Sequence, residues 1–317
     1  MLGALVAAPV VWLGWPAPAP APAHPVPASN YEEALERIAR LTARDSLALH
    51  EQCGTTALLH GARTPRAVVL IHGITNCPLQ FVALGRILHD EGDNVLIPRV
   101  PHHGLADRMT EDLARLEAGE VTALVAECVG LARGLGDTVI VAGLSTSGVA
   151  AAWAGQECEG VDRVVAIAPA FRPPWGPPWM RFVLARTLQR MPNLFVWWDR
   201  EKKTELDGPT QCYPRFPTHA LAESYRLGEE VLGSARRKAP HARDLTVVTT
   251  AIDGAVDNDC AASLAAAWRR SGSQVREYRF ADSLHVPHDM IDPLQVGARV
   301  DLVYPELARF IRGEQSK

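Results

Sequence analysis

The sequence predicts an α/β fold: a mostly parallel, twisted sheet with helices packed on both of its faces. Two features of the 317-residue chain carry that expectation. Its strand-like runs are short and apolar at successive positions, as in Arg66–Ile71 (RAVVLI) and Thr138–Ala142 (TVIVA), a pattern expected of strands covered on both sides. Those runs alternate with helical segments, as connections between parallel neighbours require. Hydrophobic residues make up 47% and charged residues 21% of the chain, which excludes a disordered or fibrous protein. Thirty-two Lys and Arg against 36 Asp and Glu leave a formal charge of −4, which argues against nucleic acid as a partner.

The first thirty residues read as a separate segment. Met1–Trp15 is almost wholly apolar and Pro16–Pro27 is an Ala/Pro tract, expected to be an extended spacer. As a helix the apolar run spans about 22 Å, short of the roughly 30 Å hydrocarbon core of a bilayer. Its length suits the apolar region of a signal peptide, although no Lys or Arg precedes Arg37. The expectation is export or membrane anchoring at the cell envelope; the alternative is a disordered extension on a cytoplasmic protein. Six widely spaced cysteines (Cys53, Cys77, Cys128, Cys158, Cys212, Cys260) lack any C-x-x-C or paired Cys/His spacing, so no metal site is expected. Their spacing leaves disulfide pairing open.

From residue 31 the elements follow in order. Ser29-x-x-Glu32 reads as a capping box opening a helix with Leu35, Ile38 and Leu41 on one face. Arg66–Ile71 is a strand, 78–91 a helix closed by Gly92, Asn94–Pro98 a short strand and 111–135 a helix. Thr138–Ala142 leads into a small-residue helix at 149–156, and Arg163–Ala168 is the fourth strand. After an irregular stretch come strand Leu245–Thr250, a helix at 259–270, strand Val275–Phe280 and a closing helix ending at Arg312. Residues 31–170 and 241–317 therefore form the core, with 171–240 as an insert.

Chemistry concentrates where Thr138–Ala142 runs into Gly143-Leu144-Ser145-Thr146-Ser147-Gly148 and then a helix. A serine on so sharp a strand-to-helix turn is lifted off the strand end, and the turn tolerates only small residues two positions either side. For Ser145 those are Gly143 and Ser147; for Ser147 one would be the bulky Val149. Ser145 is accordingly the expected nucleophile.

With these residues in view, the sequence resembles the α/β-hydrolase superfamily, and within it serine esterases of the monoacylglycerol-lipase-like kind. The resemblance spans about residues 50–312. It rests on VVLIHGITNCP (68–78), IPRVPHHG (97–104), VAGLSTSG (141–148), TTAIDGAVDN (249–258) and PHDMIDP (287–293). It departs at Ser147, where these enzymes usually carry glycine. In this fold the triad follows in the order Ser, acid, His, on loops after successive strands. Asp253 lies nearest the end of Leu245–Thr250 and looks like the family's acid, with Asp257 as the alternative. His288, opening HDMID, looks like the family's histidine, with His285 as the alternative. The resemblance further implies an oxyanion hole made by the backbone N–H groups of Ile74 and Thr146, a supporting place for His72, and loop-bracing places for His102 and His103.

The insert holds four of the eight tryptophans (Trp175, Trp179, Trp197, Trp198). In this fold such an insert commonly caps the nucleophile, and aromatic walls suit acyl chains or rings. The sequence therefore predicts a serine hydrolase acting on small-molecule carboxylic esters, lipid-like or of short to medium acyl length, without cofactor or metal. Thioesterase, acyltransferase or amidase chemistry with the same triad is the alternative, and a non-catalytic binding protein stands apart from both.

Overall fold

The computed structural model describes residues 23–45, 48–174 and 178–314, with 178–182 and 185 described by backbone alone. Met1–Trp15, the first part of the Ala/Pro tract, Trp175 and the side chain of Trp179 lie outside the described residues. Among the described residues no helix is long and apolar enough to cross a membrane.

Among the described residues nine strands occur in chain order: β1 (Thr56–Leu58), β2 (Thr64–Ile71), β3 (Asn94–Ile97), β4 (Gly136–Leu144), β5 (Arg163–Ile167), β6 (Phe195–Trp197), β7 (Arg215–Pro217), β8 (Asp244–Thr250) and β9 (Gln274–Phe280). Seven form one sheet in the order β1-β3-β2-β4-β5-β8-β9, parallel throughout except for β1, which runs antiparallel to β3. The described helices are α1 (Tyr31–Ala43), α2 (Leu79–Asp90), α3 (Ala118–Leu135), α4 (Thr146–Glu157), α5 (Pro178–Arg190), α6 (Thr218–Ala235), α7 (Asn258–Arg270) and α8 (Val300–Arg312).

Successive side chains of a strand point to opposite faces, so the unbroken apolar run of β2 feeds two cores. Ala67, Val69 and Ile71 join α1, α3, α4, α6 and α7 on one side. Val68 and Leu70 meet Phe81 and Leu84 of α2 and Leu307 and Phe310 of α8 on the other. Burying each Val, Leu, Ile or Phe contributes roughly 1.5–3 kcal/mol, which is why both faces are closed. After β2 the chain first adds β3 on one side and then crosses to place β4 on the other. The loops leaving the carboxyl ends of β2 and β4 diverge there, and such a switch point opens a crevice.

Two local readings are corrected. The N-cap of α1 is Asn30, whose Oδ1 accepts from Glu33 N–H at 2.8 Å, while Glu33 reaches back to Ser29 N–H at 2.8 Å. The buried stripe is consequently Tyr31, Ala34, Ile38 and Leu41, leaving Leu35 39% exposed. The helix expected over 111–135 is interrupted: a 3-10 turn at Asp112–Arg115 precedes α3, which restarts through a capping box between Glu117 and Glu120. Within 171–240, α6 packs on α3, α4 and α7 as part of the main core, whereas β6 and β7 form a small antiparallel pair of their own.

Candidate active site

Ser145 stands between β4 and α4 with φ 61° and ψ −118°. A non-glycine residue at such a φ is strained by roughly 1–3 kcal/mol, and surrounding structure must hold it. Its N–H donates to Ile167 O at 2.9 Å and its C=O accepts from Ala170 N–H at 3.0 Å, so the end of β5 and the loop after it fix the turn on both sides. A Cβ at Gly143 would lie 2.1 Å from Ser147 O, and one at Gly148 2.7 Å from Ile167 O. Gly143→Ala is therefore expected to destroy the turn; soluble expression with ordinary far-UV circular dichroism and undiminished Ser145 reactivity would contradict this. Ser147 is buried and fits because its hydroxyl donates to His72 O at 2.6 Å.

His288 Nε2 lies 3.0 Å from Ser145 Oγ, and His288 Nδ1 lies 2.8 Å from Asp253 Oδ2. A carboxylate only accepts, so Nδ1 carries the proton and Nε2 offers its lone pair to the serine hydroxyl. The other carboxylate oxygen of Asp253 accepts from Ala255 N–H at 2.9 Å and Val256 N–H at 3.2 Å, fixing its plane, and the Asp253 side chain is fully buried. Thr250 Oγ1 donates to Val286 O at 2.8 Å, tying the end of β8 to the loop that brings His288. The two alternatives lie elsewhere: Asp257 is the N-cap of α7, accepting from Asp259 N–H, and His285 is exposed at the end of a 3-10 turn.

Ile74 follows β2 and lines the cavity that holds Ser145; Thr146 opens α4 as the residue after Ser145 and, with Ile74, lines a second cavity. Among the described residues neither backbone N–H donates to a protein acceptor. His72 is buried: its Nε2 accepts from Val100 N–H at 3.1 Å, so Nδ1–H donates to Gly73 O at 3.0 Å. Burial, reinforced by the neighbouring His103, holds its pKa well below the usual histidine value. His103 donates from Nδ1 to Pro101 O at 2.8 Å, and burial lowers its pKa to about 4. His102 sits between Asp112 at 2.7 Å and Glu120 at 3.2 Å, pinning its loop to α3.

The cavity holding Ser145 and His288 has a volume of about 310 Å³. Ile74, Leu144, Pro287 and the insert residues Trp198, Leu206 and Pro209 give it apolar walls. Trp197 lies on β6, with the Arg215 guanidinium 5.9 Å from its ring. Several site residues carry no sequence signal. Gln80, on the first turn of α2, accepts from Gly73 N–H at 2.8 Å and donates to Asp289 Oδ2 at 2.8 Å, bridging the loops of Ile74 and His288. Gln211 donates to Asp292 Oδ2 at 2.8 Å and Asn76 Oδ1 at 3.2 Å. Cys53 and Cys77, the latter directly after Asn76, form a disulfide. Among the described residues, no group of His, Cys, Asp and Glu side chains is arranged to hold a metal ion.

Comparison with known proteins finds that the model of the alpha/beta hydrolase family matches residues 68–310. No curated protein is significantly similar in sequence. Among solved structures, the work on LipS and LipT, two metagenome-derived lipolytic enzymes, gives a TM-score of 0.60 at 19% identity, covering 84% of this chain and 100% of that one. The monoacylglycerol lipase of Paleococcus ferrophilus gives 0.57 at 18% identity, covering 82% and 98%. A soluble variant of monoglyceride lipase from Saccharomyces cerevisiae, in complex with a substrate analogue, gives 0.58 at 11% identity, covering 83% and 92%.

Proposed function

The chain belongs to the alpha/beta hydrolase family, and from that premise we propose that it hydrolyses carboxylic esters through Ser145, His288 and Asp253. One observation carries the reading: the hydrogen-bonded series from Ser145 Oγ through His288 to Asp253, at 3.0 and 2.8 Å. A serine hydroxyl is a weak nucleophile near neutral pH and needs a base within reach as it attacks. His288 Nε2 takes the proton as Ser145 Oγ bonds to the ester carbon, and Asp253 stabilises the imidazolium. The Ile74 and Thr146 N–H groups receive the negative charge that develops on the carbonyl oxygen. Collapse expels the alcohol with the proton from His288, leaving an acyl-Ser145. Water, deprotonated by the same imidazole, then releases the acid and restores the serine.

The cavity of about 310 Å³ is open to solvent beside Ser145 and His288, which gives an ester carbonyl access to the nucleophile. Its apolar wall favours short-to-medium acyl chains or an aromatic acyl ring, and the lipolytic names of the structural neighbours support a lipid-like ester. The insert segment bearing Trp198, Leu206 and Pro209 serves as the cap. The Cys53–Cys77 disulfide supports an oxidising compartment, in keeping with export or anchoring through the N-terminal segment.

The test is covalent. A fluorophosphonate is expected to modify Ser145, located by peptide mass spectrometry, and p-nitrophenyl esters from acetate to laurate are expected to be hydrolysed. Folded protein that takes no label and cleaves no member of that series would overturn the proposal.

A further inference from the structure

Thr75, one residue after the Ile74 donor, is buried and left-handed with φ 66°. A β-branched residue disfavours that region strongly, so contacts must hold it there. Three hydrogen bonds from the insert reach this turn, two on Thr75 itself and one on its neighbour Asn76. Trp198 Nε1–H donates to Thr75 Oγ1 at 3.1 Å, Tyr213 N–H donates to Thr75 O at 2.8 Å, and Gln211 donates to Asn76 Oδ1 at 3.2 Å. Gln211 is itself only 1% exposed and also donates to Asp292, four residues beyond His288. The Trp198 ring is held in turn by Phe216 of β7, with centroids 4.4 Å apart.

We infer that the insert sets the oxyanion loop as well as covering the cleft, with Trp198 and Gln211 as positioning residues that hold Thr75 left-handed and so aim the Ile74 N–H. This rests on the ester-hydrolase reading. A donor that is fixed before reaction stabilises the tetrahedral anion without reorganising, whereas a loop free to relax loses that advantage in kcat. Removing one such hydrogen bond is expected to cost about tenfold.

The experiment measures p-nitrophenyl butyrate hydrolysis, and inhibition by an aliphatic trifluoromethyl ketone, whose adduct with Ser145 places an oxyanion in the hole. Trp198→Phe keeps an aromatic ring against Phe216 but removes the indole N–H. It is expected to lower kcat about tenfold and to raise the ketone Ki by a similar factor, with KM within about twofold. Gln211→Leu is expected to act in the same direction; should it not fold, Trp198→Phe decides alone. Adding Thr75→Gly to Trp198→Phe removes the strain the brace was holding, and is expected to raise kcat at least about threefold above the single variant. A lost substrate contact would not be repaired that way, because the double variant still lacks the indole. The inference fails if Trp198→Phe keeps its kcat, if its loss lies in KM alone, or if the double variant is no better than the single one. Wild-type protein that neither hydrolyses the ester nor takes a fluorophosphonate label would instead sink the ester-hydrolase reading on which the inference rests.

Discussion

Replacing His288 with alanine is expected to lower kcat by roughly a million-fold, and Asp253→Asn by roughly 10⁴-fold, with small changes in KM. The difference follows from what each group does in the proposed mechanism. Without the imidazole nitrogen that His288 holds 3.0 Å away, Ser145 Oγ would have no base, and the leaving alcohol no acid. Asp253 exchanges no proton; it accepts Nδ1–H at 2.8 Å and thereby leaves the lone pair on Nε2. An asparagine there can present its NH₂ to Nδ1, which favours the tautomer with the proton on Nε2, pointing at the nucleophile. Two further variants locate the effect. Asp257→Asn preserves the N-cap of α7 and is expected to stay within a few-fold of wild type. His285→Asn suits a residue with φ 50° and is expected to do the same. Steady-state kinetics on one ester decides all four. Wild-type activity in His288→Ala, or a collapse confined to Asp257→Asn, would move the base or the acid elsewhere.

Ser145 and those four positions differ in how far the sequence alone marks them. Ser145 is legible because its signature is local: a strand, small residues at 143 and 147, and a helix, all within one turn. Asp253 and His288 come from loops 35 residues apart in the chain, and only the direction in which β8 and β9 end separates them from Asp257 and His285. The apolar runs predict the sheet because burial on two faces removes alternation, a property each strand carries alone. The antiparallel β1 has three residues and no such run. The bridges through Gln80 and Gln211 are invisible for a different reason. An amide side chain has no periodicity, and its partners, Gly73 and Asp289 or Asn76 and Asp292, are set by tertiary packing. Cys53 and Cys77 likewise pair by position in space, at a Cα separation of 5.2 Å that spacing along the chain does not encode. The capping box of α1 slips by one residue because Ser29 and Asn30 are both good caps followed by a glutamate; the buried stripe, beginning at Tyr31, decides between them.

Stability is expected to fall as pH drops from about 6.5 towards 4, through His72 and His103. Both are buried and neutral, with pKa values depressed in the folded state, His103 to about 4. In that window the unfolded chain binds a proton at each imidazole while the folded chain does not, so the unfolded state gains. For His103 the shift from 6.5 to about 4 corresponds to roughly 3 kcal/mol of stability, present above pH 6.5 and lost as pH approaches 4. His72 acts in the same direction for a structural reason. Its Nε2 already accepts the Val100 N–H at 3.1 Å, and a proton there would set two donors against each other. Burial raises the pKa values of Asp93, Glu229, Glu230 and Asp292, which oppose the trend because the folded state takes up their protons first as pH falls. The groups facing His103 are the ring of His72, its neighbour His102 and the Arg99 guanidinium, which donates to His103 O at 3.1 Å. Comparing wild type with His103→Gln by denaturant unfolding at pH 7 and pH 4.5 cancels the carboxylates. The variant starts less stable at pH 7, having lost the edge contact with His72, and is expected to lose roughly 2–3 kcal/mol less on acidification. Equal losses in the two proteins would mean that His103 takes up its proton in the folded state, and the loop joining β3 to α3 would then have to open at mild acidity to admit it.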